Sequence, residues 1–391
     1  MTSHSLADES LVLHEKHRGK IEIVSKVPLV TRHDFSLAYS PGVGAVAQAI
    51  AADSARARTL TLSGRTVAVI SDGSAVLGFG NIGPFAAIPV MEGKAAIFKE
   101  LANIDAFPIC LAHQDVKETI ATIKNIVPVF AGINLEDFKA PECFTIEEAL
   151  QDLGIPVMHD DQHGTAIVAL AAVTNALRVV GKKKEEVRIV INGVGAAGVA
   201  ITKLLLDAGF NGGPMLLCDT QGIIHYGRPE LGATKKAELA RRTNSERVEG
   251  TLRDALRGAD IFIGVSKGNL LASADVRLMG DKPVIFALAN PVPEISPDDA
   301  KTAGAAVVGT GRSDYPNQIN NSLAFPGVFR GAIDSGATRI TTEMKLAAAY
   351  ALAHLLENPT AEEILPFATD KRIVPAVAQA VADAWRDRTS Q

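Results

Sequence analysis

Two pairs of adjacent acids, Glu136-Asp137 and Asp160-Asp161, each lie just beyond a short apolar run, residues 131–135 and 155–158. If both runs are strands of one parallel sheet, the four carboxylates emerge at its carboxyl edge, where α/β proteins bind ligands. Four like charges in one crevice repel unless a cation sits among them, and hard oxygen donors select Mg²⁺ or Mn²⁺ over zinc. The same acids equally suit helix starts or solvated loops, Asp160-Asp161 above all, since a helical pattern opens at residue 164. Lys94 follows Gly93 and precedes the apolar stretch Ala95-Ala96-Ile97-Phe98. A lysine in an apolar crevice has a lowered pKa and can act as a base; one with a packed stem and a solvated head has the same pattern. Tyr39, one of four tyrosines, sits in Leu37-Ala38-Tyr39-Ser40-Pro41-Gly42 and reads as a proton donor or as a core ring beside a turn.

A second kind of chemistry is written at Gly193-Val194-Gly195-Ala196-Ala197-Gly198. The run follows a predicted strand (187–191) and opens a predicted helix, the context a dinucleotide fingerprint requires. Gly193 makes the turn, Gly195 lets backbone approach a pyrophosphate, and Gly198 permits close packing of helix on strand; the phosphates then sit at a helix N-terminus. The next strand ends in Asp219, 21 residues beyond Gly198, placed to accept from the ribose hydroxyls and to repel a 2′-phosphate. A second match to the glycine pattern, at Gly78, Gly80 and Gly83, is followed at once by Pro84, which makes a poor first turn for cradling phosphate. It reads as a Gly-rich loop beneath a substrate pocket.

The elements that must hold these residues alternate. Candidate strands at 66–71, 107–111, 131–135, 155–158, 187–191, 215–218, 260–265, 284–288 and 306–308 are separated by helical patterns at 115–125, 145–153, 164–180, 197–208 and 252–258. Continuous apolar runs are what strands buried on both faces look like, and strand–helix–strand order implies parallel sheets. Beyond residue 340 only Ala-rich helices follow, at 343–357 and 375–384. The expected fold class is α/β with two domains: an N-terminal α/β substrate and metal domain (1–160) and a Rossmann-like dinucleotide-binding domain with a C-terminal helical cap (161–391).

Composition sets outer bounds. The 391 residues are 47% hydrophobic and 21% charged, far too apolar for a disordered chain. A net charge of −5 gives no footprint for nucleic acid. Cys110, Cys143 and Cys218 are too few and too scattered for a disulfide framework or a Cys-rich zinc site. The opening residues lack a basic and apolar leader, and the most apolar stretch, 165–180, is broken by Thr174, Asn175 and Arg178. No membrane partner is expected, and the expected location is the cytoplasm.

Taken together the segments resemble the malic enzymes, in particular their compact bacterial branch. LAYSPGVG around Tyr39, SDGSAVLGFGNIG from Ser71, PVMEGK ending at Lys94, INLEDF from Ile133 and HDDQHGTA from His159 are similar to family signatures. So are NGVGAAG from Asn192, ALANPVPEI from Ala287 and NQINNSLAFPGVFRGA from Asn317, all in order over nearly the whole chain. The resemblance implies oxidative decarboxylation of (S)-malate to pyruvate and CO₂ with reduction of NAD or NADP, dependence on Mg²⁺ or Mn²⁺, and decarboxylation of oxaloacetate. It implies Tyr39 as general acid, Lys94 as general base, Asp160 as a neighbouring catalytic carboxylate, and Glu136, Asp137 and Asp161 as metal ligands. It further implies Gly193, Gly195, Ala196, Ala197, Gly198 and Asp219 at the cofactor. Asn290 and Asn320 would contact substrate and nicotinamide, with Asn321 adjacent. A homodimer or higher homo-oligomer is also implied.

Three positions depart from the family pattern: Ala75 where larger members carry a substrate-binding arginine, Phe85 where compact ones carry a charge, and Val265-Ser266-Lys267-Gly268 beside the cofactor groove. NAD is expected over NADP because Asp219-Thr220-Gln221-Gly222 holds no basic residue. Two other readings compete: a two-domain dehydrogenase that needs no metal, and a nucleotide sensor without turnover.

Overall fold

The structure, a computed structural model, describes residues 5–232 and 234–389. Two sheets organise it. In the first, β1 (Thr66–Ser71), β2 (Asp105–Cys110), β3 (Gly132–Leu135) and β4 (Val157–His159) run parallel in the order β2-β1-β3-β4. The second contains β5 (Ile189–Asn192), β6 (Leu216–Asp219), β7 (Gly222–Ile223), β8 (Ile261–Gly264), β9 (Val284–Ala287) and β10 (Val307–Thr310). Its order is β10-β9-β8-β5-β6-β7, parallel except for the short β6–β7 hairpin. The chain leaves β1 in one direction for β2 and in the other for β3, and likewise flanks β5 with β6 and β8. Each of these points opens a crevice at the carboxyl ends of the strands.

All nine candidate strands are present, within two residues at each end. The apolar runs are continuous because both faces are covered. Val67 and Val69 enter one core, and Ala68 and Ile70 the other. Ile189 and Ile191 likewise share the first core while Val190 enters a third. The helix Asp160–Val180 joins the sheets. Ile167 through Val173 are all fully buried on it, and they lie in the one core that reaches from Val67 to Ile191. By length and composition this helix would cross a membrane, but 72% of its apolar window is buried inside the protein. Against the same core pack the C-terminal helices Phe325–Asp334, Thr342–His354 and Ile373–Thr389, with Phe98 meeting the Phe325 and Phe329 rings edge-on at 4.7 and 5.4 Å.

Two placements differ from the reading of the sequence. Gly83–Ala102 is one helix with Pro84 in its first turn, where the missing N–H has no helical partner to lose. Lys94 therefore lies inside this helix, not ahead of one. The second concerns residues 5–62, which hold short helices such as Leu6–His17 and Val43–Ala52 but no buried residue. The Tyr39 side chain, read as a donor or a core ring, is 72% exposed at the end of helix Arg32–Ala38.

Candidate active site

At the edge of the first sheet, β3 delivers Glu136 and Asp137, and β4 delivers Asp160 and Asp161 as the first turn of the long helix. Backbone and side chain lock the two pairs together: the Asp137 N–H donates to Asp161 Oδ2 at 2.7 Å. One ligand oxygen from each of Glu136, Asp137 and Asp161 lies within 4.8 Å of the others. Helix Gly83–Ala102 brings Lys94 into the same place. Its ammonium is bonded to Asp160 Oδ2, lies 3.0 Å from Glu136 Oε1, and stands 4.6 Å over the Phe325 ring. Lys94, Glu136, Asp137 and Asp160 are all buried.

The electrostatics follow from one cation among four acids. Burial and the Asp161 charge push Glu136 well above the carboxylate range and Asp137 up to about 8. Burial raises Asp160 to about 6 against the pull of Lys94. For Lys94 the apolar-crevice expectation of a lowered pKa is reversed. Burial does press it down, but Asp160, Glu136 and Asp161 together hold the ammonium above its ordinary range. Asp137 Oδ2 and Asp160 Oδ1 are buried without a hydrogen-bond partner among the described residues. An all-oxygen donor set with surplus negative charge and orphaned lone pairs fits a hard divalent cation.

Several supporting residues escaped the reading of the sequence. Asn134 Nδ2 donates to Glu136 Oε2 at 2.9 Å from within β3. Glu147, on helix Glu142–Glu148, accepts from the His159 backbone N–H at 3.0 Å and from Gln162 Nε2 at 3.1 Å, and pairs with His163 Nε2. It thereby grips both sides of Asp160-Asp161. The His163 attraction, with Lys345 and His159 behind it, overcomes burial and holds the Glu147 carboxyl at about 2. Gly164 is required because a Cβ there would collide with Asp160 Oδ1.

The Gly-rich loop after β1 turns back over this edge. Ala75 N–H donates to the Asp137 carbonyl at 2.8 Å, and Gly78 backs so closely on the Asn290 carbonyl that no Cβ fits between. Asn290 and Asn320 flank Gly311 beyond β10: the Asn290 amide stands 2.9 Å from a Gly311 Cβ position, and Asn320 Nδ2 donates to the Gly311 carbonyl at 3.4 Å. Asn321 lies against Gly164. Tyr39 makes no side-chain hydrogen bond to this cluster among the described residues.

The second site lies at the end of β5. Gly193 has φ 102° and its missing Cβ would meet the Val265 carbonyl; Gly198 packs on the Gly193 carbonyl; the Gly195 position is open for a ligand. Helix Ala196–Asp207 starts there with free N–H groups. Asp219 closes β6, but the structure adds what linear spacing concealed. Its Oδ2 accepts from Arg228 Nη2 and from Lys236 Nζ, both at 2.7 Å, and its Oδ1 accepts from the Gln221 N–H at 3.0 Å. Burial opposes ionisation, yet these donors hold the carboxyl at about 2.

A doubly wound α/β chain with a dinucleotide turn at one carboxyl edge and a lysine–carboxylate cluster at the other defines a two-domain α/β protein of the dinucleotide-binding type with a buried polar crevice. Residues 18–151 match the sequence model of the malic enzyme N-terminal domain, and residues 162–385 that of the malic enzyme NAD-binding domain. The chain is 51% identical to the bifunctional malic/malolactic enzyme of Bacillus subtilis over 97% of its own length and 93% of that protein. It is 45% identical to an NADP-dependent malic enzyme of Halomonas elongata, over 94% of this chain and 90% of that one. The crystal structure of an NAD-dependent malic enzyme from Thermotoga maritima superposes with a TM-score of 0.92 at 50% identity, covering 95% of this chain and 98% of that one. The chain belongs to the malic enzyme family.

Proposed function

We propose that the protein oxidatively decarboxylates (S)-malate to pyruvate and CO₂ with reduction of NAD in preference to NADP, requires Mg²⁺ or Mn²⁺, and also decarboxylates oxaloacetate. The observation that carries this reading is the buried Lys94 shared by Asp160 and Glu136 beside the trio Glu136, Asp137 and Asp161. A metal-free dehydrogenase has no use for such an excess of buried acid.

Glu136, Asp137 and Asp161 would hold the cation, and the glycine turn from Gly193 to Gly198, with Ala196 and Ala197, would hold the dinucleotide pyrophosphate. The chemistry these groups supply when bound is Lewis-acid stabilisation of charge on the C2 oxygen and acceptance of a hydride. The rest falls to side chains. Lys94 is charged, so it takes the C2-hydroxyl proton of malate only as it gives one of its own to Asp160. With a pKa raised to about 6, Asp160 is poised to accept that proton near neutrality. The phenol of Tyr39 protonates C3 of enolpyruvate, and Asn290, Asn320 and Asn321 orient substrate and nicotinamide. Tyr39 belongs to an arm, residues 5–62, that buries none of its own side chains yet exposes Leu29, Val30, Phe35 and Leu37. That arm supports a homodimer in which such surfaces are covered. The free thiols Cys110, Cys143 and Cys218 suit the reducing cytoplasm. The boundary between catalytic and dinucleotide-binding parts falls at residues 160/161.

Incubating the purified protein with malate, Mn²⁺ and each cofactor, with and without chelator, tests the proposal. Pyruvate and CO₂ formation that stops on chelation is expected; chelator-resistant accumulation of oxaloacetate would establish the metal-free dehydrogenase instead.

A further inference from the structure

Glu294 is fully buried, yet no lysine, arginine or histidine pairs with it among the described residues. Burial pushes its carboxyl up, and only backbone N–H groups pull it down. A buried acid without a counter-charge costs stability, and its hydrogen bonds identify what offsets that cost. Oε1 accepts from the Ser266 N–H and Oε2 from the Ala289 N–H, each at 3.1 Å. Ser266 belongs to the turn after β8, and Ala289 to the turn after β9. One carboxylate therefore ties two neighbouring strand ends at the carboxyl edge of the second sheet.

The main chain repeats the tie. The Asn269 N–H donates to the Pro293 carbonyl at 3.0 Å, and the Leu271 N–H to the Glu294 carbonyl at 2.9 Å. Gly264, the last residue of β8, makes room for the acid: a Cβ there would stand 2.4 Å from Glu294 Cδ. From this node the tie reaches the crevice on two sides. Ser266 Oγ accepts from Asn192 Nδ2 at 2.7 Å, beside the glycine turn that starts at Gly193. Ala289 immediately precedes Asn290, on whose carbonyl Gly78 of the first sheet's loop closely packs.

A dinucleotide lies across the point where strand order reverses. Asp219 ends β6 and marks the adenosine side, so the nicotinamide falls on the side of β8 and β9. The adenosine side has a hold of its own, since the Gly193 N–H donates to the Cys218 carbonyl at 2.9 Å. We propose that Glu294 is a positioning residue for the nicotinamide end of the cofactor, holding Ser266 and Ala289 so that Asn290 stays fixed beside the ring. The inference rests on the dinucleotide-binding reading of the second sheet and deepens it. An apolar side chain in place of Glu294 would leave two buried N–H groups unpaired, and both turns would shift to find other acceptors.

The test is calorimetric titration of the full-length protein, without malate, with NAD⁺ and with ADP-ribose, which lacks the nicotinamide. Wild type, Glu294→Ala and Glu294→Gln are compared. Glu294→Ala should weaken NAD⁺ by about tenfold or more while ADP-ribose changes by less than about threefold. Glu294→Gln keeps the shape but turns an amide N–H₂ towards a backbone donor. It should weaken NAD⁺ by about threefold or more, and it decides the matter if the alanine variant does not fold. In turnover, Glu294→Gln should lower kcat by about tenfold with the Mn²⁺ requirement within about threefold, a split that general loosening of the fold would not give. Unchanged NAD⁺ affinity, or equal losses for NAD⁺ and ADP-ribose, would overturn the assignment. Absence of malate decarboxylation by the wild type would sink the proposed activity and leave the binding comparison standing; a wild type that binds neither nucleotide would overturn both.

Discussion

The two carboxyl edges carry the same local device, an acid at or just beyond the end of a buried parallel strand, and reach opposite electrostatic states. At the first edge Glu136, Asp137, Asp160 and Asp161 share one cation, Lys94; at the second, Asp219 alone holds two, Arg228 and Lys236. Burial disfavours the ionised acid at both. It prevails at the first, where Asp137 rises to about 8, and is overcome at the second, where Asp219 falls to about 2. What separates them is donor supply, not position in the fold. An edge short of donors leaves its buried acids in competition for one charge, and an edge with surplus donors keeps its acid ionised.

Removing Lys94, the buried ammonium of the first edge, should do the most damage. Lys94→Ala is expected to lower kcat/KM for malate by about a thousandfold, the range of a lost general base, while cofactor affinity stays within a fewfold. A variant within tenfold of wild type would remove Lys94 from the chemistry and break the contrast. Next in size, Asp161→Ala should raise the Mn²⁺ concentration for half-maximal activity by more than about a hundredfold, beyond the usual effect of an outer-shell change. An unchanged requirement would mean that the acid-rich edge does not gather its cation through Asp161.

Glu147 separates gripping from ligating. It bonds His159, Gln162 and His163 on either side of the acid pair and touches none of the three proposed ligands. Glu147→Gln keeps the shape but loses the charge opposite His163. A rise of about tenfold in the Mn²⁺ requirement with unaltered NAD⁺ affinity is expected. A loss of kcat with no metal dependence would make Glu147 a stabiliser of the fold only.

How much of this was legible in the sequence depended on range. The strands announced themselves because burial on both faces makes them continuous apolar runs, as Thr66–Ser71 shows. The two-residue β7 was too short to leave such a run. The helices of residues 5–62 have no buried face, so no periodic apolar stripe marks them. Helix Gly83–Ala102 was hidden by prolines, although Pro84 occupies the one turn that tolerates it. Site acids were visible because strand ends and carboxylates are adjacent in the chain. Their partners were not: Glu147 reaches His159 across 12 residues, and the chain after β7 brings Arg228 and, on helix Lys235–Ala240, Lys236 back to Asp219 from 9 and 17 residues away. The absence of a base in Asp219–Gly222 was true of the sequence and misleading about the space around the acid.

The smallest effect tests the second edge alone. Asp219 titrates at about 2 in the folded protein against an ordinary 3.8. A depressed carboxyl favours the ionised folded state, so its contribution is complete above about pH 4 and is lost as pH falls towards 2. Asp219→Asn cannot ionise and has no such dependence at this position. The stability gap between wild type and Asp219→Asn, read from urea midpoints, should therefore be constant from pH 5 to 8 and narrow below pH 4. A gap that persists unchanged at pH 3 would mean that Arg228 and Lys236 do not hold the acid ionised, and the surplus of donors that distinguishes this edge from the first would be lost with it.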